Sequence, residues 1–292
     1  MSIAEQHERL PPWFKLPRSI SNERLGEVRR VVREGSLHTV CSSAACPNRT
    51  ECWNRGTAAF MILGNICTRR CGFCNVPKGT PIDIDLDEPA RVADVVSTLG
   101  LKYAVVTSVT RDDLPDGGAS LFAATILAIR SKQPGCRIEV LVPDFKGCES
   151  SLRQVLDAFP DIVNHNIETV PSLYPRVRPQ AAYPRSLELL ARARAYGAMT
   201  KTGLMLGLGE DPHEIIQAMR DLRAAGCSIL TLGQYLRPGK GHLAVEKYYT
   251  PKEFSMLRTD ALALGFHHVE AGPLVRSSYH ADHYGAGDKG AT

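Results

Sequence analysis

Six of the nine cysteines lie between Cys41 and Cys74, in two sets of three. The first is Cys41-x4-Cys46-x5-Cys52 within CSSAACPNRTEC; the second is Cys67-x3-Cys71-x2-Cys74 within CTRRCGFC. In a chain whose N-terminus, MSIAEQHERLPPWFK, carries no apolar leader pattern, such cysteines bind metal or react more readily than they form disulfides. A structural zinc site closes with four protein ligands, commonly as paired C-x2-C knuckles. Each set here offers three, and no histidine stands beside CTRRCGFC to complete a tetrahedron. Three thiolates suit a four-iron cluster that keeps one iron open to a substrate. Cys136, Cys148 and Cys227 stand apart and read as ordinary core or surface thiols.

The elements that must position these sulfurs are legible from residue 58 onward. Strand candidates are Ala58–Leu63, Lys102–Thr107, Arg137–Val142, Asp161–Asn166, Met199–Leu206 and Ile229–Tyr235. Helical spacing links Val92, Val95, Val96 and Leu99, then Phe122, Ile126 and Ile129. It recurs in Leu152, Val155, Leu156 and Phe159, and in Ile215, Met219 and Leu222. Asp211-Pro212-His213-Glu214 and Thr250-Pro251-Lys252-Glu253 each supply an N-cap, a first-turn proline and a capping-box glutamate. Six βα units in succession imply a parallel sheet with right-handed crossovers. The continuous hydrophobicity of the strands fits burial on both faces. The polar segments NICTRRCGFC, SVTRDDLPDGG, NIETV and GLGED each follow a strand, where α/β folds build their sites. The fold class expected is therefore α/β, a partial (β/α)6 barrel rather than an open doubly wound sheet.

Composition narrows the function classes. With 43% hydrophobic and 23% charged residues the chain is ordinary globular protein. Its 35 basic and 31 acidic residues leave a net charge of +4 with no dense basic cluster, so no nucleic-acid partner is indicated. The longest uncharged apolar run, around Leu121–Ile129, is about half the ~20 residues of a membrane helix, so no membrane partner is expected and the cytoplasm is. Pro11-Pro12-Trp13 reads as an exposed or docking arm, residues 22–33 as a short helix, and the closing GAGDKGAT as disordered.

CxxxCxxC with Phe73 before its last cysteine, on the loop after the first strand, resembles the radical S-adenosylmethionine superfamily. The resemblance implies a 4Fe-4S cluster on Cys67, Cys71 and Cys74 whose open iron is chelated by the amino and carboxylate groups of S-adenosylmethionine. One-electron reduction would then break the sulfonium bond and yield a 5′-deoxyadenosyl radical. It places Thr107 and Ser108 where the family grips the methionine amino group, with Asp112 and Asp113 close behind. Asn166 and Glu168 would meet the nucleoside, and the segment from Gly203 through Gly207 to Glu210 the adenine; Arg176 and Arg178 would hold the methionine carboxylate or an incoming acidic partner, or stand as plain exposed arginines. Plainer readings stand beside these: a strand-end cap for Asn166 and Glu168, a solvated turn for the aspartates, a packed or surface role for His267 and His268. Gln234 to Pro238, after the sixth strand, would line a substrate channel, and Lys201 would be a buried charge without an assigned role.

Cys41-x4-Cys46-x5-Cys52 upstream, together with Arg276-Ser277-Ser278-Tyr279 near the end, closely resembles the lipoyl synthase family. The resemblance covers nearly the whole chain. It implies an auxiliary, sulfur-donating 4Fe-4S cluster on Cys41, Cys46 and Cys52 with a serine of the RSSY motif as fourth ligand; adjacent side chains point apart, so Ser277 and Ser278 are alternatives, of which Ser278 is taken. A hard alkoxide matches iron less well than thiolate, which makes that corner the labile one. The implied organisation is an N-terminal extension over residues 1–57, a barrel over 58–264 and a C-terminal extension over 265–292, the two extensions holding the auxiliary cluster. The implied reaction is insertion of two sulfur atoms at C6 and C8 of an octanoyl chain amide-linked to a carrier lysine, using two S-adenosylmethionine molecules. Implied partners are octanoylated lipoyl domains of 2-oxoacid dehydrogenases, the glycine-cleavage H protein, and an electron donor such as ferredoxin or flavodoxin, with the enzyme a monomer. The alternatives are another two-cluster radical sulfurtransferase, such as a methylthiotransferase, or an electron-transfer iron–sulfur protein.

Overall fold

A computed structural model describes residues 10–14, 23–43 and 46–281. One sheet of eight strands organises them: β1 (His38–Thr39), β2 (Thr57–Ile62), β3 (Tyr103–Ser108), β4 (Arg137–Leu141), β5 (Ile162–Asn164), β6 (Thr200–Leu206), β7 (Ile229–Gln234) and β8 (His268–Gly272). The helices are α1 (Glu23–Glu34), α2 (Val40–Ser43), α3 (Arg49–Asn54), α4 (Glu88–Thr98), α5 (Ala119–Lys132), α6 (Glu149–Leu156), α7 (Tyr174–Val177), α8 (Tyr183–Ala195), α9 (Pro212–Ala224) and α10 (Pro251–Ala263). The tail GAGDKGAT lies outside the described residues.

Strand order follows chain order from β1 to β8 without a reversal. A doubly wound sheet reverses its order at a switch point; unbroken order with right-handed crossovers keeps the covering helices on one face and curls the sheet. β2 through β8 pair in parallel, β1 lies antiparallel on β2, and among the described residues no pairing joins β1 to β8, so the sheet stays open. The six strands expected from sequence are β2 to β7. β1 and β8 extend the sheet beyond them, at margins where the hydrophobic signal is thin: β1 is two residues long, and β8 buries only Val269. Phe159 departs from its expected helical set, since α6 ends at Leu156 and the ring is exposed.

β2 and β7 are buried at every position, as strands covered on both faces must be. One apolar cluster joins α1, α4, α5 and α6 to β2–β5, and a second joins α8, α9 and α10 to β6–β8. Between them runs a polar network across four strands. Lys201 on β6 donates to both carboxylate oxygens of Glu139 on β4 at 2.9 Å, and Tyr103 on β3 and Asn164 on β5 donate to the same carboxylate. Glu139 reaching Lys201 past an intervening strand fits a curled sheet. Both capping boxes form: Glu214 reaches back to the Asp211 N–H, and Glu253 to the Thr250 N–H at 2.7 Å.

Candidate active site

The segment between β2 and α4, residues 63–87, is long for a βα connection, and loops of that length usually carry function. It carries Cys67, Cys71 and Cys74. The Cys67 N–H donates to Pro77 O at 2.8 Å and the Gly79 N–H to Cys67 O at 3.1 Å, which folds the loop back on itself. The Cys67 sulfur accepts from the N–H groups of Arg69 (3.4 Å) and Thr110 (3.3 Å). Arg69, inside the motif, is buried and donates to Asp112 at 2.7 and 2.9 Å and to Asp144 at 2.6 Å. The loop is thereby tied to the connections after β3 and β4. Asp112 belongs to this buried pairing and Asp113 pairs with Arg111, so neither is a freely solvated turn residue.

Gly72 donates to Val177 O and accepts from the Leu243 N–H. A Cβ on Gly72 would stand 2.9 Å from the Leu243 side chain and would force it to shift. Phe73 packs against a small apolar cluster of Val177, Leu208 and Tyr235. Burial pushes the Cys74 thiol up to about 11; the Val76 backbone opposes this, and Cys71 and Cys67 add to it. Burial raises Cys71 as well, against the charge of Arg178. Cys71 and Cys74, half-buried and both raised, become thiolates together most readily beside a cationic centre. Among the described residues no three His, Cys, Asp or Glu side chains are gathered for a single metal ion. Fit to a larger group rests on the mutual repulsion of the thiols and on the polar atoms around them.

Those atoms cluster at the carboxyl ends of the strands. Ser108 Oγ at the end of β3, Asn166 Oδ1 beyond β5 and Arg178 Nε are buried without hydrogen-bond partners. Such groups normally find partners, so three together mark a place where a polar ligand would complete them. Arg178 is buried, its guanidinium donating to Asn166 O (2.8 Å), Ile167 O (3.2 Å) and the Tyr174 hydroxyl (3.2 Å). Glu168 accepts from Asn166 Nδ2 at 3.1 Å and holds a φ of +66°, strain of the kind found at binding sites. Burial raises its carboxyl pKa, against the charge of Arg178. A Cβ on Gly203 would lie 2.8 Å from Asn166 Oδ1, so that glycine keeps space open for the amide.

Other candidates are committed elsewhere. The Thr107 hydroxyl donates to Leu141 O at 2.9 Å. Gly207, at φ +103°, has Gln234 Nε2 and Lys247 O where a Cβ would stand, so packing within the protein accounts for that glycine. Gln234 is buried, donating to Leu206 O, Tyr235 O and Lys247 O and accepting from the Tyr249 N–H. It ties β7 to the next loop; the sequence expectation that it lines a channel is corrected on this point. Arg176 donates to Leu208 O, and His268 pairs with Glu270.

The first cysteine set surrounds a recess at the β1–β2 margin. Cys41 sits in α2, Cys46 just before α3 and Cys52 within it. The recess is lined by all three, with Arg276, Ser278 and Tyr279 among the other residues around it; Ser277 is not in the lining. Its empty space is about 290 Å³, partly continuous with solvent. Burial raises the Cys41 and Cys46 thiols, and Arg276 and Arg49 oppose the rise at Cys46. The tail is held by Asn48 donating to Leu274 O at 2.6 Å, and by Tyr279 and His280 on Glu51 at 3.1 and 3.0 Å. These contacts join the two margins of the open sheet. Asn75, next to Cys74, donates to Ser43 O at 3.2 Å, so the two cysteine loops touch. Sequence reasoning missed Arg69, Asp144 and Glu51; the one signal was a charge placed inside each cysteine motif.

A model of the Radical SAM superfamily matches residues 61–222. Among solved structures, SuiB of Streptococcus suis bound to precursor peptide SuiA shares the fold at a TM-score of 0.60 and 11% identity, over 88% of this chain and 56% of that one. Methylornithine synthase (PylB) does so at 0.53 and 13%, over 86% and 82%. Fold and family match together define a radical S-adenosylmethionine enzyme, a class that works with a 4Fe-4S cluster and S-adenosylmethionine. Lipoyl synthase of Rubrobacter xylanophilus is 59% identical over 273 residues, 93% of this chain and 85% of the relative. That of Symbiobacterium thermophilum is 58% identical over 280 residues (95% and 87%), and that of Thiobacillus denitrificans 52% over 287 (97% and 92%). The chain belongs to the lipoyl synthase family.

Proposed function

We propose that the chain inserts sulfur at C6 and C8 of an octanoyl group carried on a lysine of a lipoyl domain or of the glycine-cleavage H protein, drawing the sulfur from an auxiliary cluster held by Cys41, Cys46, Cys52 and Ser278. The observation that carries this reading is the recess itself: three cysteines and one serine, separated by more than two hundred residues of sequence, line one hollow beside a basic Arg276. Bound S-adenosylmethionine and its cluster supply a radical able to take hydrogen from an unactivated carbon, chemistry that no acid–base side chain offers. The protein's part is placement. Cys67, Cys71 and Cys74 would hold one cluster, and Arg69, locked by Asp112 and Asp144, fixes the loop that presents them. Ser108, Asn166 and Arg178 have buried polar atoms available to S-adenosylmethionine, and Arg178 brings positive charge toward Cys71. Phe73 keeps an apolar wall against Val177 and Tyr235. The contact from Asn75 to Ser43 keeps the two loops adjacent, as a substrate that must meet both requires.

The domain organisation follows: residues 1–57 and 265–292 serve the auxiliary site and residues 58–264 the radical site. No described helix is long and apolar enough to cross a membrane. A one-electron donor of the ferredoxin or flavodoxin kind completes the reaction. The test is 5′-deoxyadenosine release and sulfur insertion with an octanoyl-lysine peptide under a reductant. Cys67→Ala, Cys71→Ala or Cys74→Ala should abolish both. Cys41→Ala, Cys46→Ala or Cys52→Ala should leave 5′-deoxyadenosine release and stop insertion; loss of both in the second group contradicts the division of labour.

A further inference from the structure

Ten buried side-chain nitrogen or oxygen atoms among the described residues lack a hydrogen-bond partner, and three of them gather at the auxiliary recess: Arg49 Nε, Trp53 Nε1 and Thr57 Oγ1. Arg49 and Thr57 line the recess with the three cysteines. Trp53 is almost wholly buried and its indole N–H lies by the Cys41 sulfur, while the Arg49 guanidinium sits 5.5 Å over the indole ring. Apolar residues would fill the same volume without leaving N–H and O–H groups unmet, so the polar choice at three neighbouring positions calls for an acceptor. No oxygen or nitrogen acceptor meets any of the three. Three of the residues that line the recess with Arg49 and Thr57 carry sulfur.

We propose that Arg49, Trp53 and Thr57 are the hydrogen-bond donors to the sulfur atoms of the auxiliary cluster, thiolate and inorganic sulfide together. The inference rests on the reading that Cys41, Cys46, Cys52 and Ser278 hold such a cluster. Donors to cluster sulfur offset its negative charge, which raises the cluster's potential and makes the sulfides less basic. A sulfur donor needs that restraint: its sulfide must be held against stray protonation until a substrate carbon arrives. The donors come from α3 and the start of β2, the same segment that supplies Cys52, so ligand and donor are placed by one stretch of backbone.

The test uses the full chain with Cys67, Cys71 and Cys74 changed to alanine and reconstituted to about four irons, so that the auxiliary cluster is observed alone. Iron–sulfur stretching bands are recorded by resonance Raman in H2O and D2O, and iron release to a chelator is timed. The parent should show a D2O shift. Trp53→Phe and Thr57→Val, which keep the volume and remove the donor, should each lose part of that shift and release iron severalfold faster. Thr57→Ser should restore both. Should Trp53→Phe fail to hold iron, Thr57→Val against Thr57→Ser decides alone. Four irons loaded with the same D2O shift in parent and variants means that the donors face water, and overturns the inference while the auxiliary cluster stands. No iron in the parent overturns the auxiliary cluster itself, and the inference with it.

Discussion

A side chain's chemistry in this molecule is set by what already occupies its polar atoms. Thr107 and Ser108 are neighbours at the end of β3, yet the first donates to Leu141 O and the second has a buried hydroxyl with no partner. Sequence presents them as equals; only the second is available to a ligand. Ser277 and Ser278 divide in the same way, since Ser278 lines the auxiliary recess and Ser277 does not. Ser278→Ala should therefore lower iron retained after reconstitution from about eight toward about four per chain, or leave a cluster that a chelator strips far faster. Ser277→Ala should match the parent. Equal losses in both would remove the distinction. Arg69 shows why other residues stayed hidden: its partners Asp112 and Asp144 lie 43 and 75 positions away, and no local pattern connects them.

At the scale of elements, what was legible was what has a local cause. β2, β3 and β7 announce themselves because strands buried on both faces are largely apolar. The starts of α9 and α10 are written in four residues each, and both capping boxes form. Thr250→Ala should cost about 1 kcal/mol of stability in denaturant unfolding, with Thr250→Ser close to the parent. The margins were not legible: β1 is two residues long, and β8 buries only Val269. The helix α8 begins at a proline without a side-chain cap, which explains why it carried no start signal of the Asp211 or Thr250 kind. Lys201 is another matter of elements, since its charge is met by Glu139 two strands away. Lys201→Met should cost about 3–5 kcal/mol because it leaves a carboxylate buried with no cation. Adding Glu139→Gln, which still accepts a hydrogen bond, should recover a good part of that loss.

The whole molecule is an open, curled sheet whose two margins are joined by the segments that carry the first cysteine set and its serine. Its pH response should reflect two buried groups beside the Cys67–Cys74 loop. His165 is pushed down to about 4, by burial first and the charge of Arg178 second; its Nδ1 faces Val142 O at 2.8 Å and its Nε2 the Ser186 hydroxyl at 3.0 Å. The unfolded chain takes up this proton at about 6.5, so stability is full above that pH and falls by about 3 kcal/mol on the way down to about 4. Asp144 is lowered to about 2: burial raises its pKa, but the hydrogen bond and charge of Arg69 outweigh it. Its contribution of about 2 kcal/mol is present above the ordinary carboxylate range and lost between about 4 and about 2. Urea midpoints across pH 7 to 4 should therefore fall in the parent, and a flat profile would contradict the buried neutral histidine. The central claim, two clusters of which one supplies the sulfur, is tested most directly by iron and acid-labile sulfide per chain after anaerobic reconstitution, with a Cys41/Cys46/Cys52→Ala variant alongside. About eight irons falling to about four is the predicted result. About four in both would mean that the first cysteine set holds no cluster, and would leave the proposed insertion without its sulfur.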